Sequence, residues 1–517
     1  MLNQTGFYAS LLFLVGVVSG LIITYRWKRN KIAKSLASIP SPPQHWLLGN
    51  IPQVLAAVRD KKYFQLLFDW SQELGSIYVF WGSKPVVVLS KPRVIEETII
   101  NGMKDGSLVR TKGVQKAWND ISGSIMLGQE GKQWQWRRRA WTPKFNPTGL
   151  AKYIKIIDRA CSQVIHKIEA TETSKSIEVD SLFVELTMKV ICYLMLGIPL
   201  EQKKSTIGSS LDIQKVYTAM SVVGYRFLRV AIGEKTWQKY LPTKSSRDYW
   251  SARRYLETFL SPYVDLALQL RESDRTPPEI GSEFRESMLV TIASREPNYS
   301  RETLISEAIE ILIAGTDTTA HTLSFAVGEL ASNPRVFEKA QSIADRVFSS
   351  SETLNLSALE ELSYIRAIVK ETLRLYSVAS GSTSLQATRE TTVAGITIPC
   401  GTKVFWSMLG AGRDSETYSQ PEEFLPERWL EGEGSNSLPM INFGSGYHRC
   451  LGEHLALLEA TIMLAQLLRH FDWELVNGRS SLENLQQNLL IYPVDGMPLR
   501  LRSRSQISIQ KNQSAIG

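Results

Sequence analysis

Cys450 is the residue with the clearest chemical potential, and it lies in a glycine-bracketed run, Phe443-Gly-Ser-Gly-Tyr-His-Arg-Cys-Leu-Gly452. The glycines let the backbone turn sharply, and a long apolar helix is predicted to begin directly after the run, at Glu453. The N–H groups and the positive dipole at that helix start predict a thiolate rather than a thiol. A single shielded thiolate suits haem iron, whereas zinc needs three or four ligands and no second cysteine is near in sequence. The competing interpretation is a helix-capping glycine loop with a buried structural cysteine.

A second candidate for chemistry is the segment Ala314-Gly-Thr-Asp-Thr-Thr319, which lies inside an otherwise apolar helical pattern. Thr and Gly are poor helix formers, so their position in the middle of a helix needs a reason. Thr318 comes four residues after Ala314, and its hydroxyl can bond back to the Ala314 carbonyl and bend the helix. Such a bend would open a groove for dioxygen and water beside Thr318 and the carboxylate of Asp317. The alternative is a kink with only a packing role.

Two further pairs of residues have the sequence spacing that places both members on the same face of a helix. Glu371 and Arg374 are three residues apart and can form an ion pair, which by itself is a common surface feature. Trp134 and Arg138 are four residues apart and share a face. The latter pair has basic neighbours, Arg137, Arg139 and Lys144. These neighbours form either a docking patch for an acidic electron donor or an ordinary solvated face.

The run around Cys450 resembles the haem-ligand signature of the cytochrome P450 family, which it matches at Phe443, Gly446, Cys450 and Gly452. The resemblance covers about residues 38–502. It implies a heme b cofactor whose iron has Cys450 as its axial thiolate ligand. Its implied haem-binding residues are Trp134, Arg138, Ala314, Gln386, Phe443, Gly446, His448 and Gly452.

Other motifs acquire roles from the same resemblance. Asp317 and Thr318 resemble the acid–alcohol pair that delivers protons for oxygen activation. Glu371 and Arg374, together with Arg428, resemble a structural triad in which guanidinium–carboxylate bonds brace the ligand region.

The sequence departs from the family pattern in three places. His448 stands where the family usually has Arg, and Gln386 stands where a second propionate-binding Arg is usual. An imidazole beside a propionate should have a raised pKa. Residues 376–384 are small and polar where the family commonly has an apolar Pro-rich stretch, which favours a roomier, more hydrogen-bonding pocket.

The N-terminal segment predicts a membrane anchor. Residues 7–25 form an uncharged, mostly apolar run of 19 residues, nearly enough to span a hydrocarbon core of roughly 30 Å. Basic residues follow at once, which predicts that the C-terminal side is cytosolic. A cleaved secretory signal is the competing interpretation, but the basic start that such signals carry is missing. The predicted organisation is an anchor at 1–26, a basic and proline-rich hinge at 27–50, a catalytic domain at 51–502 and a disordered tail at 503–517.

The net charge and the cysteine content argue against a nucleic-acid-binding protein and against a disulfide-bonded protein. The net charge of +8 is modest and lacks aromatic interleaving, which predicts no nucleic-acid partner and favours a membrane surface or an acidic protein. Four scattered cysteines predict a reducing compartment without a disulfide framework. Cys161, Cys192 and Cys400 are predicted to be small buried hydrophobic residues.

Apolar periodicity predicts helices over 148–170, 178–197, 245–272, 301–330 and 453–470. Short β-rich patches are predicted over 76–80, 85–89, 392–398 and 401–405. The predicted fold class is mainly α with small β-sheets, a cytochrome P450 fold preceded by one N-terminal transmembrane helix.

The predicted function is a haem-thiolate monooxygenase that inserts one atom of O₂ into an apolar small-molecule substrate. Its electrons would come from a separate NADPH-cytochrome reductase or a ferredoxin-type donor, because no flavin or iron–sulfur segment is visible. The alternatives are a haem-thiolate isomerase or dehydratase acting on hydroperoxides, and a non-catalytic haem sensor. The predicted location is a single-pass membrane protein with a cytosolic catalytic domain, in the endoplasmic reticulum or alternatively a bacterial or photosynthetic membrane.

Overall fold

The computed structural model describes residues 4–82, 84–171, 175–199, 207, 212–231, 233–272, 281–350, 354–379, 383–430 and 440–504. Its helices are α1 (Gln4–Ser35), α2 (Ile51–Arg59), α3 (Tyr63–Leu74), α4 (Pro92–Lys104), α5 (Lys112–Ser122), α6 (Gly131–Phe145), α7 (Pro147–Ala151), α8 (Ile154–Glu169), α9 (Val179–Leu196), α10 (Ile213–Ala231), α11 (Lys244–Glu272), α12 (Ser282–Arg285), α13 (Met288–Arg295), α14 (Arg301–Ser332), α15 (Pro334–Ser350), α16 (Leu356–Glu361), α17 (Ser363–Tyr376), α18 (Met408–Gly412), α19 (Glu453–His470) and α20 (Ser480–Glu483).

The strands are few and short, and the predicted class of mainly α with small β-sheets is confirmed. They are β1 (Ile77–Trp81), β2 (Pro85–Leu89), β3 (Leu108–Arg110), β4 (Ile177–Glu178), β5 (Leu385–Ala387), β6 (Thr391–Val393), β7 (Ile396–Ile398), β8 (Lys403–Trp406), β9 (Phe471–Leu475), β10 (Leu485–Gln487), β11 (Ile491–Pro493) and β12 (Pro498–Ser503).

The chain forms two compact units, of which the first comprises residues 1–109 and 384–411. Its main feature is a five-stranded sheet in the order β1-β2-β8-β5-β3. The predicted strand pair forms the antiparallel hairpin β1–β2, with Tyr78 opposite Val88. Both residues are fully buried against aromatic side chains of α3 and β8, including Trp70 and Phe405. Burial of β-branched and aromatic residues explains why these runs form strands.

The predicted β-rich patch over 392–398 forms two short strands, β6 and β7. Ala394 and Gly395 take positive φ values of 51° and 77° and turn the chain back on itself. The hairpin β6–β7 results, with Val393 opposite Ile396. A two-residue turn with both φ values positive matches the twist of the strands it joins.

The second unit comprises residues 110–383 and 412–517 and is built around α14. Residues 304–312 and 319–330 of this helix are buried throughout. The helices α9, α17 and α19 pack against it. Ser300 caps its N-terminus by accepting a hydrogen bond from the Thr303 N–H, as N-cap serines do. The helix that follows Cys450 is α19, and its predicted range of 453–470 is confirmed.

The predicted membrane anchor lies in α1, but this helix runs on to Ser35, past the predicted boundary at residue 26. Some side chains of α1 fall outside the described residues. Over the part of the chain that the structure covers, no helix is long and apolar enough to cross a membrane. The predicted transmembrane helix is therefore not confirmed.

Two further predictions concern the C-terminal tail and the burial of the three cysteines other than Cys450. Ser503 belongs to β12, and the predicted disordered tail lies outside the described residues from 505 onward. Cys161 and Cys192 are buried as predicted, whereas Cys400 is exposed. The prediction for Cys400 is wrong because this residue follows β7 in a surface turn, where it donates to the Thr388 carbonyl.

Candidate functional site

The loop before α19 positions the Cys450 sulfur with backbone groups. Gly444 and Gly446 have φ values of 74° and 64°, in the left-handed region that glycine tolerates. The Cys450 N–H donates to the Phe443 carbonyl at 2.7 Å and closes the loop. The Gly452 N–H donates to the sulfur. Cys450 is exposed, so a ligand can reach it.

The pKa of the Cys450 thiol is raised, although the N–H groups and the dipole of the helix start were predicted to favour the thiolate. Although one side of the residue is exposed, loop atoms crowd the sulfur, and this burial raises the pKa. The effect outweighs the Gly452 N–H and the positive charge of Arg138, which both lower the pKa. The prediction counted the helix dipole and omitted the desolvation of the anion. A thiolate here requires additional positive charge, such as a bound metal cation supplies.

Trp134 and Arg138 lie on α6 and reach the same loop. The Trp134 ring makes an edge contact with the ring of His448, with centroids 4.4 Å apart. Burial lowers the pKa of the half-buried Arg138 guanidinium, while the nearby Cys450 raises it. Among the described residues the guanidinium of Arg138 has no hydrogen-bond or ion-pair partner. A half-buried cation without a counter-ion beside an accessible sulfur fits an anionic group on a bound ligand.

His448 belongs to a network that the sequence did not reveal. Its Nδ1 lies 2.9 Å from a terminal nitrogen of Arg110, and its Nε2 lies 3.1 Å from Glu130 Oε2. Arg110 is 4% exposed, and its Nε donates to Glu130 Oε1 at 2.6 Å. Since a guanidinium can only donate, Nδ1 is the acceptor and the Nε2–H donates to the carboxylate. Both ring nitrogens of His448 are therefore engaged by the protein.

The ionisation of this network differs from the predicted raised pKa of His448. Burial lowers the pKa of His448, and the charges of Arg110 and Arg138 act in the same direction against the raising effect of Glu130. Burial alone would raise the pKa of Glu130, but His448 and Arg110 lower it to about 2. His448 is thus a neutral link between Arg110 and Glu130. That His448 holds a propionate remains a prediction.

The middle of α14 is accessible, unlike the buried stretches on either side of it. Ala314 is exposed, and Asp317 and Thr318 are partly exposed. Thr318 Oγ1 donates to the Ala314 carbonyl at 2.7 Å, so the predicted back-bond is confirmed. Asp317 Oδ1 is buried and has no hydrogen-bond partner among the described residues, while the Tyr217 hydroxyl bonds to the same carboxyl group. Burial raises the pKa of Asp317, so this group is suited to hold a proton.

The predicted basic patch on α6 includes one residue that is not at the surface. Arg137 is 4% exposed and donates to the Ser124 carbonyl and to Glu307, so its assignment to a docking face is wrong. The local sequence around Arg137 does not indicate that this residue pairs with a buried carboxylate, that of Glu307 on α14. Arg139 remains exposed. Burial, together with neighbouring cations, lowers the pKa of the half-buried Lys144 to about 8.

The predicted triad of Glu371, Arg374 and Arg428 is brought together in the interior. Glu371 is fully buried and pairs with Arg374 at 2.8 Å and with Arg428 at 2.9 Å. Its carboxylate also accepts from the indole of Trp429 and the backbone N–H of Leu425. The lone pairs of the carboxylate are therefore used by donors from separate segments of the chain.

Gln386 is the one predicted site residue that lies in the first unit. It sits on β5 opposite Lys403 of β8. The remaining predicted site residues belong to the second unit: Trp134, Arg138, Ala314, Asp317, Thr318, Phe443, Gly446, His448, Cys450 and Gly452.

Comparison with known proteins indicates the same family as the sequence motif around Cys450. A sequence model described as Cytochrome P450 matches residues 39–498. Cytochrome P450 71B26 of Arabidopsis thaliana is 26% identical over 467 residues, covering 85% of this chain and 87% of the relative. Cytochrome P450 4V2 of Rattus norvegicus is 25% identical, with 86% of each chain covered. Phenylalanine N-monooxygenase of Arabidopsis thaliana is 23% identical, covering 93% of this chain and 94% of the relative.

Proposed function

The chain belongs to the cytochrome P450 family of haem-thiolate monooxygenases, and from that premise we propose that Cys450 is the residue whose thiolate holds the haem iron. The observation that carries this assignment is the accessible sulfur with the Gly452 N–H and, beside it, Arg138, whose guanidinium lacks a partner in the described part of the chain. Arg138 and Trp134 would bind a haem propionate. The Arg110–Glu130–His448 network would hold the loop in place for them.

Haem iron with a thiolate ligand would, when bound, supply the activation of dioxygen. The chain's own residues supply binding, orientation and protons. Asp317 holds a proton on its buried carboxyl group, and Thr318 Oγ1, fixed by the Ala314 carbonyl, passes a proton onward. The proposed reaction places one oxygen atom in an apolar organic substrate, with electrons from a separate NADPH-linked donor.

The Thr318→Ala variant is expected to keep haem and substrate binding but to lose coupling. Without the hydroxyl, proton delivery is impaired and electrons leave as hydrogen peroxide. We expect the ratio of product to NADPH consumed to fall by about 10-fold or more. The measurement combines NADPH, O₂, peroxide and product determinations in the presence of a reductase. The substrate would come from a compound library screened by the shift of the haem absorption band.

Thr322→Ala is the matched control for this experiment. Thr322 Oγ1 makes the same type of back-bond, to the Thr318 carbonyl at 2.7 Å, but Thr322 is a buried residue one turn further along α14. Its removal should leave coupling near the wild-type value. Equal coupling in the wild type and in Thr318→Ala would show that the Thr318 back-bond is only structural.

An acidic electron-donor protein is the proposed partner of the surface near α6. Arg139 is exposed there, and Lys152 and Arg295 act electrostatically on Lys144. Several cations close together favour the encounter with an acidic protein. Docking of such a donor would therefore weaken as ionic strength rises.

Membrane attachment through α1 is proposed on the basis of its exposed apolar side chains. Leu12 is 72% exposed and Phe13 is 75% exposed, and further large apolar residues that follow are also exposed. An exposed apolar surface of this extent marks contact with a membrane or a partner. Basic residues follow at positions 26–34, as expected on the cytosolic side of a membrane.

Deletion of residues 1–26 is expected to move the protein at least partly from the membrane fraction into solution, because it removes this apolar surface. Activity should be retained when a soluble electron donor is added. The measurement is fractionation of the full chain and the deletion variant at low and high salt. Complete membrane retention of the deletion variant at high salt would mean that another apolar surface makes the attachment.

A further inference from the structure

A partly buried acid–histidine pair adjoins the accessible part of α14 and has no role in the function proposed above. His321 follows Asp317 by four residues and therefore shares its helix face. The Nδ1 of His321 lies 2.8 Å from Asp180 Oδ1, on the first turn of α9. Ser324 Oγ donates to the same carboxylate oxygen at 2.6 Å. The pair thus connects α9 with the part of α14 that carries Asp317.

Carboxylates surround His321 and set its ionisation. Burial alone would lower the pKa of His321, but the hydrogen bond and charge of Asp180 outweigh it, and Asp317 and Glu178 add to the effect. The net result is a raised pKa, so the ring carries a proton more readily than a free histidine. The other titratable neighbours are Tyr492 on β11, whose ring centroid is 6.2 Å away, and Tyr217 on α10, which bonds to Asp317.

The pair is close to the surface and also close to Asp317, since both His321 and Asp180 act electrostatically on the Asp317 carboxyl group. The side chain of Asp180 is 20% exposed and that of His321 is 10% exposed. Glu178, which accepts from the Asp180 N–H, is exposed. Asp317 Oδ1 is buried and lacks a hydrogen-bond partner among the described residues, although buried acceptors normally have one. A hydrogen-bond donor beside Asp317 would satisfy that oxygen.

We propose that His321, held by Asp180, is a positioning residue that supplies protons to Asp317. The inference rests on the proposed function, in which Asp317 and Thr318 deliver protons. His321 gives the proton on Nε2 to the Asp317 carboxylate, directly or through one water, and keeps the proton on Nδ1 in its bond to Asp180. The neutral ring then takes up a proton from solvent on Nε2, the nitrogen that lost it. No electron is transferred in this step, and His321 returns to its initial state.

The first test is the pH dependence of coupling in the wild type and in the variants His321→Gln and Asp180→Asn. The donor form of His321 is the imidazolium, so wild-type coupling should fall as pH rises through its raised pKa, above about 6.5. Asp180→Asn removes the charge that stabilises the imidazolium, so the fall should move to lower pH. His321→Gln should couple poorly at every pH, with a loss of about 10-fold, and should alter the solvent deuterium isotope effect on product formation.

The second test measures the ionisation of His321 without turnover. The holoenzyme, labelled with ¹⁵N-histidine and held as its diamagnetic carbon monoxide complex, contains six histidines, and the His321 signal is the one absent from His321→Gln. Its pKa should lie above that of an ordinary histidine and should fall in Asp180→Asn. An unchanged pKa in Asp180→Asn would overturn the proposal.

His166→Gln is the matched control, because His166 also faces a carboxylate, Glu169 at 3.2 Å, but is exposed at the surface. It should leave coupling and its pH midpoint unchanged. Melting temperatures and carbon monoxide spectra establish that each variant is folded. Wild-type coupling with an unshifted midpoint in both His321→Gln and Asp180→Asn would overturn the proposal. If the wild type itself forms no product from NADPH and O₂, the proposed function fails, and the nuclear magnetic resonance titration still decides whether Asp180 controls His321.

Discussion

Replacement of Cys450 with serine is expected to abolish the thiolate-type absorption spectrum of the reduced carbon monoxide complex and all NADPH-dependent product formation. A serine hydroxyl is far less acidic than a thiol and a poorer donor of electron density to iron. The loop itself should persist, since the Cys450 N–H bond to the Phe443 carbonyl does not involve the sulfur. The measurement is the carbon monoxide difference spectrum of the purified variant, together with its haem content.

The Cys400→Ser variant is the control for this expectation. Cys400 is the other exposed cysteine among the described residues, and its thiol donates to a backbone carbonyl, as a hydroxyl also can. Its spectrum and activity should match the wild type. A thiolate-type spectrum that survives in Cys450→Ser would show that another residue holds the iron.

The Glu371→Gln variant is expected to cause the largest loss of stability. The buried Glu371 carboxylate balances the charges of Arg374 and Arg428, and a neutral amide leaves both guanidinium groups uncompensated. The amide NH₂ group would also face donors such as the Trp429 indole. Breaking a buried charge pair costs about 3–5 kcal/mol. We expect a decrease of this size in the free energy of unfolding in urea, and less haem-loaded protein after expression.

A second carboxylate on the same unit provides a matched comparison. Glu427 also has two cationic partners, Arg335 and Lys339, but its side chain is 32% exposed. Water and ions screen such pairs, so Glu427→Gln should cost about 1 kcal/mol or less. Glu371→Gln and Glu427→Gln with equal unfolding free energies would contradict the assignment of a buried structural role to Glu371.

Local patterns in the sequence were sufficient to predict contacts between residues that are three or four positions apart in a helix. The Thr318 hydroxyl bonds to Ala314, and Arg374 pairs with Glu371, because helix geometry brings such positions together whatever the rest of the fold does. The helices α9, α14 and α19 were predicted closely for the same reason, since their apolar periodicity continues over many turns. The sequence predicted a β-rich patch around Ala394 and Gly395 but not its division into two strands, because a short apolar run does not distinguish one strand from two.

Contacts between distant segments could not be predicted. Arg110 is 338 residues from His448, and Asp180 is 141 residues from His321. Nothing in either local sequence identifies its partner. For that reason the basic Arg137 was assigned to the surface, whereas the structure buries it with Glu307.

The sequence by itself determined the family and the helix that carries the Thr318 hydroxyl and the Asp317 carboxyl group. These depend on residue types at short, fixed spacings, which the local backbone enforces. The tertiary structure alone decided the ionisation of the site. It raises the pKa of the Cys450 thiol, lowers that of His448 and raises that of His321, because desolvation and charge depend on which distant segments pack around each group.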